Sequence, residues 1–98
     1  MAYLLSPEAE ADLDEVWFYI AKESGDAEVA DRLVDSVTAR FFLLATHPYV
    51  GRRREEDLRR AGLRSFPMGR YLIFYRVTNE DVFVLRVLAG NQDIDAFL

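Results

Sequence analysis

The side chains best equipped for chemistry in this chain are arginines and tyrosines. Lys22 is the only lysine, and every other basic residue is an arginine. Eight arginines (Arg52, Arg53, Arg54, Arg59, Arg60, Arg64, Arg70 and Arg76) fall between residues 51 and 76, against three acids, Glu55, Glu56 and Asp57. Guanidinium groups make planar, forked contacts with carboxylates and phosphates. The segment therefore reads either as a solvated basic loop balancing an acidic N-terminal half, or as a docking patch for an acidic partner or a nucleic acid. A net charge of −5 weighs against nucleic acid, because sequence-independent affinity for it comes mostly from phosphate neutralisation. Arg64, Arg70, Arg76 and Arg86 lie on or beside expected strands with Tyr71 and Tyr75, whose rings could stack on bases.

Other chemistries find little support. There is no cysteine and only one histidine, His47, which precedes Pro48 and reads as a helix-terminal residue near the negative end of the dipole. No His/Cys cluster, glycine-rich phosphate loop or Ser/His/Asp arrangement is present, so no metal or cofactor is expected. Glu8, Asp12 and Glu15 share one helical face and read as an acid-rich, solvent-facing surface.

The elements that would position these residues centre on Leu63–Gln92. Two runs rich in β-branched and aromatic residues, Arg70–Val77 and Val82–Ala89, flank Thr78-Asn79-Glu80-Asp81, which signals a hairpin. A two-residue loop at Asn79-Glu80 puts Arg76 opposite Phe83, Tyr75 opposite Val84, Phe74 opposite Leu85, Ile73 opposite Arg86, Leu72 opposite Val87 and Tyr71 opposite Leu88. Leu72, Phe74, Phe83, Leu85 and Val87 then form one apolar face that wants a helix layer. Tyr71, Ile73, Tyr75, Val84 and Arg86 form a mixed face suited to water or a partner.

Upstream, Tyr3-Leu4-Leu5 reads as a strand. Ser6-Pro7-Glu8 supplies an N-cap, a first-turn proline and a first-turn acid. Apolar residues at Ala9, Leu13, Val16, Trp17 and Ile20 carry helix one to about Lys22. Gly25 and Asp26 break and restart the chain. Helix two has its stripe at Ala27, Ala30, Leu33, Val34, Val37, Phe41 and Leu44, and ends near Thr46 because Pro48 disfavours helix at His47. Pro48–Gly62 is an irregular loop in which a helical turn would pair Glu55 with Arg59 and Glu56 with Arg60. Leu63–Phe66 is a strand, Phe66–Gly69 a turn, and the residues after Gly90 a short helix or tail.

The 98 residues therefore predict a single domain, 1–98, of α+β class. Its order is β-α-α-β-β-β: an N-terminal strand and an antiparallel helical hairpin packed on a small antiparallel sheet. Nothing resembles a signal peptide, and no apolar run approaches the roughly 20 residues that span a bilayer. A cytoplasmic protein with no membrane partner is expected.

Several segments carry a resemblance: Leu5–Trp17, His47–Arg52, Gly62–Ser65, Gly69–Val77, Val84–Leu88 and Asp93-Ile94. In this order and over essentially the whole chain, they resemble the RelE/ParE toxin superfamily of bacterial toxin–antitoxin modules. The resemblance implies one of two activities. RelE-like members cut messenger RNA in the ribosome, whereas ParE-like members poison DNA gyrase without a catalytic site. Both are neutralised by a small antitoxin whose disordered C-terminal part wraps the toxin.

RelE-like enzymes place arginine, and tyrosine or histidine, on the third strand, after the last strand and near the C-terminus. Those positions here hold Tyr71, Asn91 or Gln92, and a tail ending Phe97-Leu98. The departures imply the ParE-like branch: a non-enzymatic toxin that binds DNA gyrase and the C-terminal segment of a ParD-like antitoxin, in a hetero-oligomeric complex. Candidate partner-binding residues are Arg52, Arg53, Arg54, Arg59, Arg60, Arg64, Arg70, Tyr71, Tyr75, Arg86, Gln92 and Asp93. One alternative is an RNA-cleaving toxin with Arg64 and Arg86 on phosphate and Tyr71 as proton donor. Another is a non-toxic decoy that keeps antitoxin binding. For Arg86 the plain expectation is a strand arginine paired with an acid such as Asp93, or with the antitoxin.

Overall fold

The computed structural model describes all 98 residues. The elements run β1 (Ala2–Leu5), α1 (Pro7–Ser24), α2 (Ala27–Thr46), β2 (Arg52–Arg53), α3 (Glu55–Leu58), β3 (Arg64–Met68), β4 (Tyr71–Val77), β5 (Asp81–Ala89) and α4 (Ile94–Phe97). They form a helical hairpin over one five-stranded sheet of order β1-β5-β4-β3-β2. The expected α+β architecture holds. Strands β2 to β5 are antiparallel neighbours, and β1 joins the far edge parallel to β5, with Leu4 opposite Phe83. No helix is long and apolar enough to cross a membrane.

The caps set the hairpin. Ser6 Oγ accepts from Ala9 N–H at 2.9 Å and starts α1. Gly25, at φ 69°, closes it by donating its N–H to Ala21 O, a left-handed position that glycine takes without Cβ strain. The Asp26 side chain accepts from Glu28 N–H and starts α2. Trp17, half-buried, donates its indole N–H to Asp31 at 2.7 Å and ties the two helices. Ala9, Val16, Val37, Phe41 and Leu44 are buried against the sheet, with Leu13, Ile20 and Leu33 packed at the margin. Ala27, assigned to the stripe, is exposed.

The sheet face beneath the helices is not the one the alternation suggested. Tyr71, Ile73, Tyr75, Val82, Val84 and Val87 form the main core with the hairpin. Leu72, Phe74, Leu85 and Leu88 lie in a second cluster with Leu58, Leu63, Ile94 and Leu98. Both faces are apolar because α3, α4 and the C-terminus cover the far side. Greasiness alone therefore could not tell which face the longer helices take.

A β-bulge adds to the difference. The predicted register holds from Val77↔Val82 to Tyr75↔Val84, then slips, so that Phe74 opposes Arg86, Ile73 Val87, Leu72 Leu88 and Tyr71 Ala89. Leu85 is the extra residue. Its carbonyl accepts the Ser6 hydroxyl at 2.6 Å, and Val84 O accepts Ser6 N–H at 2.9 Å. The N-cap of α1 thus holds the bulge in place, and every β5 residue beyond it is displaced by one.

The expected turn at Phe66–Gly69 is also shorter. β3 continues through Pro67 to Met68, and Gly69-Arg70 alone make the turn. Proline is tolerated there because β2 opposes only Arg64 and Ser65, leaving β3 an edge strand at Pro67.

Candidate partner-binding site

Asp12 and Arg86 form the most deeply set charged pair. The Asp12 carboxylate accepts from Arg86 Nε at 2.7 Å, from Arg86 Nη2 at 2.8 Å, and from Val87 N–H at 2.9 Å. The two side chains are only 7% and 18% exposed. Arg86 Nη1 donates to Phe97 O at 2.8 Å, and the guanidinium lies over the Phe97 ring. The hydrogen bonds to Asp12 raise the Arg86 pKa above its already high ordinary value, outweighing burial, with Glu8 and Glu15 adding to the effect.

Two expectations change here. Asp12 is not part of a solvent-facing acidic surface, and the acid that pairs Arg86 is Asp12 rather than Asp93. Where β1 ends, the edge of β5 faces α1, and the bulge aims Arg86 at that helix. Its donors are consumed inside the protein.

Beside this pair runs a cleft of about 310 Å³, walled by Glu15, Tyr19, Arg70, Tyr71, Arg86 and Gln92 among others. Arg70 is exposed and lies 5.5 Å from the Tyr19 ring centroid and 6.0 Å from that of Tyr71. Tyr71 itself is buried. Desolvation raises its pKa, against the pull of Arg70 and with a smaller push from Tyr19, so it keeps its proton at neutral pH. Gln92 Oε1 accepts from Ala89 N–H at 2.7 Å and shapes the turn into α4. Asp93 sits exposed at the start of α4 and makes no side-chain cap.

The loop between α2 and β3 holds the remaining candidates. Arg54 is not free: it donates to Asp57 at 2.9 Å and to Ser65 Oγ at 2.9 Å, and it covers the Phe74 ring. Arg60, half-buried, donates to Leu58 O. Arg64 donates to Tyr49 O at 3.2 Å and Gly51 O at 2.9 Å, and lies over the Tyr49 ring. Arg52 and Arg53 are open to solvent, at 3.7 Å from Asp57 and 3.4 Å from Glu55. Arg59 is exposed and left-handed, φ 54°, which ends α3 at Leu58. The expected Glu55–Arg59 and Glu56–Arg60 pairs are accordingly replaced by Arg53–Glu55 and Arg54–Asp57.

Tyr75, expected on a water- or partner-facing surface, is fully buried. Its hydroxyl accepts from Gly51 N–H at 2.9 Å and donates to Pro48 O at 2.8 Å. Burial raises its pKa, against the Gly51 hydrogen bond and Arg64. The hydroxyl is what allows an amphipathic ring into the core face. Of the three residues weighed for RNA cleavage, Tyr71 and Arg86 line the cleft, whereas Arg64 serves the Pro48–Gly51 bend. Tyr49 is exposed at that bend, where the sequence marks only a loop.

This arrangement, a capped helical hairpin on an antiparallel sheet with a parallel N-terminal edge, is the architecture of small RelE/ParE-type toxins. The chain matches the family described as "ParE toxin of type II toxin-antitoxin system, parDE" over residues 3–94. It is 36% identical over 96 residues to Toxin ParE1 of Caulobacter vibrioides, covering 98% of this chain and 96% of that one. It is 35% identical over 94 residues to Toxin ParE1 of Mycobacterium tuberculosis, covering 95% and 93%. A solved structure described as the chromosomal ParDE TA system from P. aeruginosa shares the fold, with a TM-score of 0.76 at 21% identity over 91% of this chain and 95% of that one. The chain belongs to the ParE toxin family of type II toxin–antitoxin systems.

Proposed function

We propose that this toxin acts in the cytoplasm by binding DNA gyrase, stabilising a cleaved-DNA intermediate so that replication stalls, and that a ParD-like antitoxin neutralises it through its C-terminal segment. The observation that carries the reading is the match to the ParE toxin family across residues 3–94.

An antitoxin would meet the arginines that remain exposed. Of the candidate arginines, Arg52, Arg53, Arg59 and Arg70 are exposed, whereas Arg54, Arg60, Arg64 and Arg86 are engaged internally. The surface pairs made by Arg52 and Arg53 are worth about 0–1 kcal/mol each, so carboxylates of an incoming chain replace them at little cost. The cleft beside Arg70, with Tyr19 and Tyr71 in its wall, offers an apolar and cationic seat for the same chain.

The test is supercoiling by purified gyrase with the isolated protein added, scored for inhibition and for linearised plasmid. Inhibition with accumulated cleaved DNA, relieved by the antitoxin, is the expected result. Unimpeded gyrase beside folded protein would overturn the gyrase assignment.

A further inference from the structure

Tyr71 and Tyr75 lie on the same face of β4, both buried in the main core. Tyr75 commits its hydroxyl to two backbone groups, Gly51 N–H and Pro48 O. The Tyr71 hydroxyl bonds to no protein group, although the residue is only 7% exposed. No buried polar side-chain atom lacks a partner in this chain, so that hydroxyl reaches solvent, and it does so through the cleft that Tyr71 lines. Phenylalanine would serve the packing here; the oxygen has no task inside the fold.

The groups around it are donors without acceptors. Arg52, Arg53, Arg54 and Arg86 each face a carboxylate, and Arg60, Arg64 and Arg76 each hold a backbone carbonyl. Arg70 does neither: it stacks on the Tyr19 and Tyr71 rings with its N–H groups free. Gln92 commits its amide oxygen to Ala89 N–H, which leaves its NH2 group, in the same wall, unused. Desolvation raises the Tyr71 pKa, so its hydroxyl has a proton to give. Val16, Leu88 and Phe97 make the wall apolar between these groups.

We propose that the Tyr71 hydroxyl and the Arg70 guanidinium hold a single carboxylate, carried by an acidic side chain of the antitoxin whose apolar stem lies along the walls of this cleft. The inference rests on the proposed function, which makes the antitoxin a partner, and adds the group it inserts and the residues that receive it. Charge and shape select that occupant. Arg86 is neutralised by Asp12 and Glu15 shares the wall, so Arg70 is the one cation of the cleft without a counter-ion, and it suits one negative charge. Nucleic acid needs several cations along successive phosphates. The cleft is a concavity of about 310 Å³, room for a side chain, and segments that fold on binding are recognised by side chains set into such slots.

The experiment measures the antitoxin affinity of Tyr71→Phe and Arg70→Gln toxins, with urea unfolding alongside. Because the hydroxyl has no partner in the free protein, Tyr71→Phe should keep the wild-type midpoint while Kd rises about tenfold or more, as for one hydrogen bond to a charged group. Arg70→Gln should weaken binding likewise. Changing each Asp and Glu of the antitoxin's C-terminal segment to Asn or Gln finds the carboxylate: for one of them the loss should not add to that of Tyr71→Phe. Wild-type affinity in both toxin variants, or losses that add for every acid, overturns the inference and leaves the antitoxin reading standing. A lowered urea midpoint for Tyr71→Phe shows that the hydroxyl serves the fold and also overturns it. So does weaker gyrase inhibition, or lost binding of a single-stranded RNA, with antitoxin affinity unchanged. A wild-type toxin that binds no ParD-like antitoxin overturns the proposed partner and this inference together.

Discussion

Replacing Asp12 with alanine removes the acceptor of three hydrogen bonds at once, two from Arg86 and one from Val87 N–H. With Arg86 18% exposed, the guanidinium is left largely desolvated without its counter-ion. Breaking one side of such a pair costs about 3–5 kcal/mol, a large part of the 5–15 kcal/mol typical of a small domain. Urea unfolding followed by tryptophan fluorescence suits the test, since Trp17 is the only tryptophan and sits five residues along the same helix. At an m-value of about 1.5 kcal/mol/M, the midpoint should fall by about 2–3 M with little change in m. The double variant Asp12→Leu/Arg86→Met should recover most of that loss, because an apolar pair of similar volume carries no unpaired charge. A midpoint for Asp12→Ala within about 0.5 M of wild type would refute the reasoning, showing that Arg86 reaches water or another acid instead.

Other substitutions test the remaining geometry. Tyr75→Phe strands Gly51 N–H and Pro48 O, and should cost about 1–3 kcal/mol in urea unfolding. Gly51→Ala, which crowds the same hydroxyl, should cost a similar 1–3 kcal/mol, and failure of either to destabilise would remove the clamp from the account. Because burial raises the pKa of Tyr71 and Tyr75, the unfolded chain loses these protons first as pH rises. Their contribution to stability should be constant below about pH 10 and decline above it. Tyr75→Phe should flatten part of that decline when urea midpoints are compared from about pH 8 to about pH 11. Alanine at both Arg52 and Arg53 should leave stability within about 0.5 kcal/mol but raise the salt-dependent dissociation rate of the antitoxin complex. Kinetics unchanged across salt would count against docking there.

Much of the architecture was readable because local signals agreed. Ser6-Pro7-Glu8, Gly25-Asp26 and Pro48 each mark a helix end through a backbone requirement that does not depend on the rest of the fold. The strand pairing was readable only as far as Tyr75↔Val84. The bulge at Leu85 depends on a serine 79 positions away, and nothing in the local alternation announces it. The choice of sheet face failed for a related reason: tyrosines and an arginine look wet in isolation. Tyr75 becomes a core residue once Pro48 and Gly51 supply partners, and Arg86 once Asp12 does. The site residues divide the same way. Arg52, Arg53, Arg59 and Arg70 are exposed, as a charged run suggests, but which arginines are consumed internally is a property of contacts, as at Arg54 with Ser65 and Phe74. Tyr49 lies in a stretch, His47–Arg52, that carries the resemblance, but its exposure follows from contacts made by Arg64 on β3 and Tyr75 on β4.

The parallel seat of β1 on β5 bears on the order of events during synthesis. Contacts between Ala2–Leu5 and Asp81–Val84 span most of the chain, so the closing entropy of a long loop comes before any reward. The helical hairpin depends on near neighbours and can form while the C-terminal third is still inside the ribosome. β1 then waits for β5, and the underside of the hairpin waits for its sheet. The first residues made are thus among the last to be locked in place, and amide protection of β1 in pulsed hydrogen exchange during refolding should lag that of the hairpin and rise together with β5.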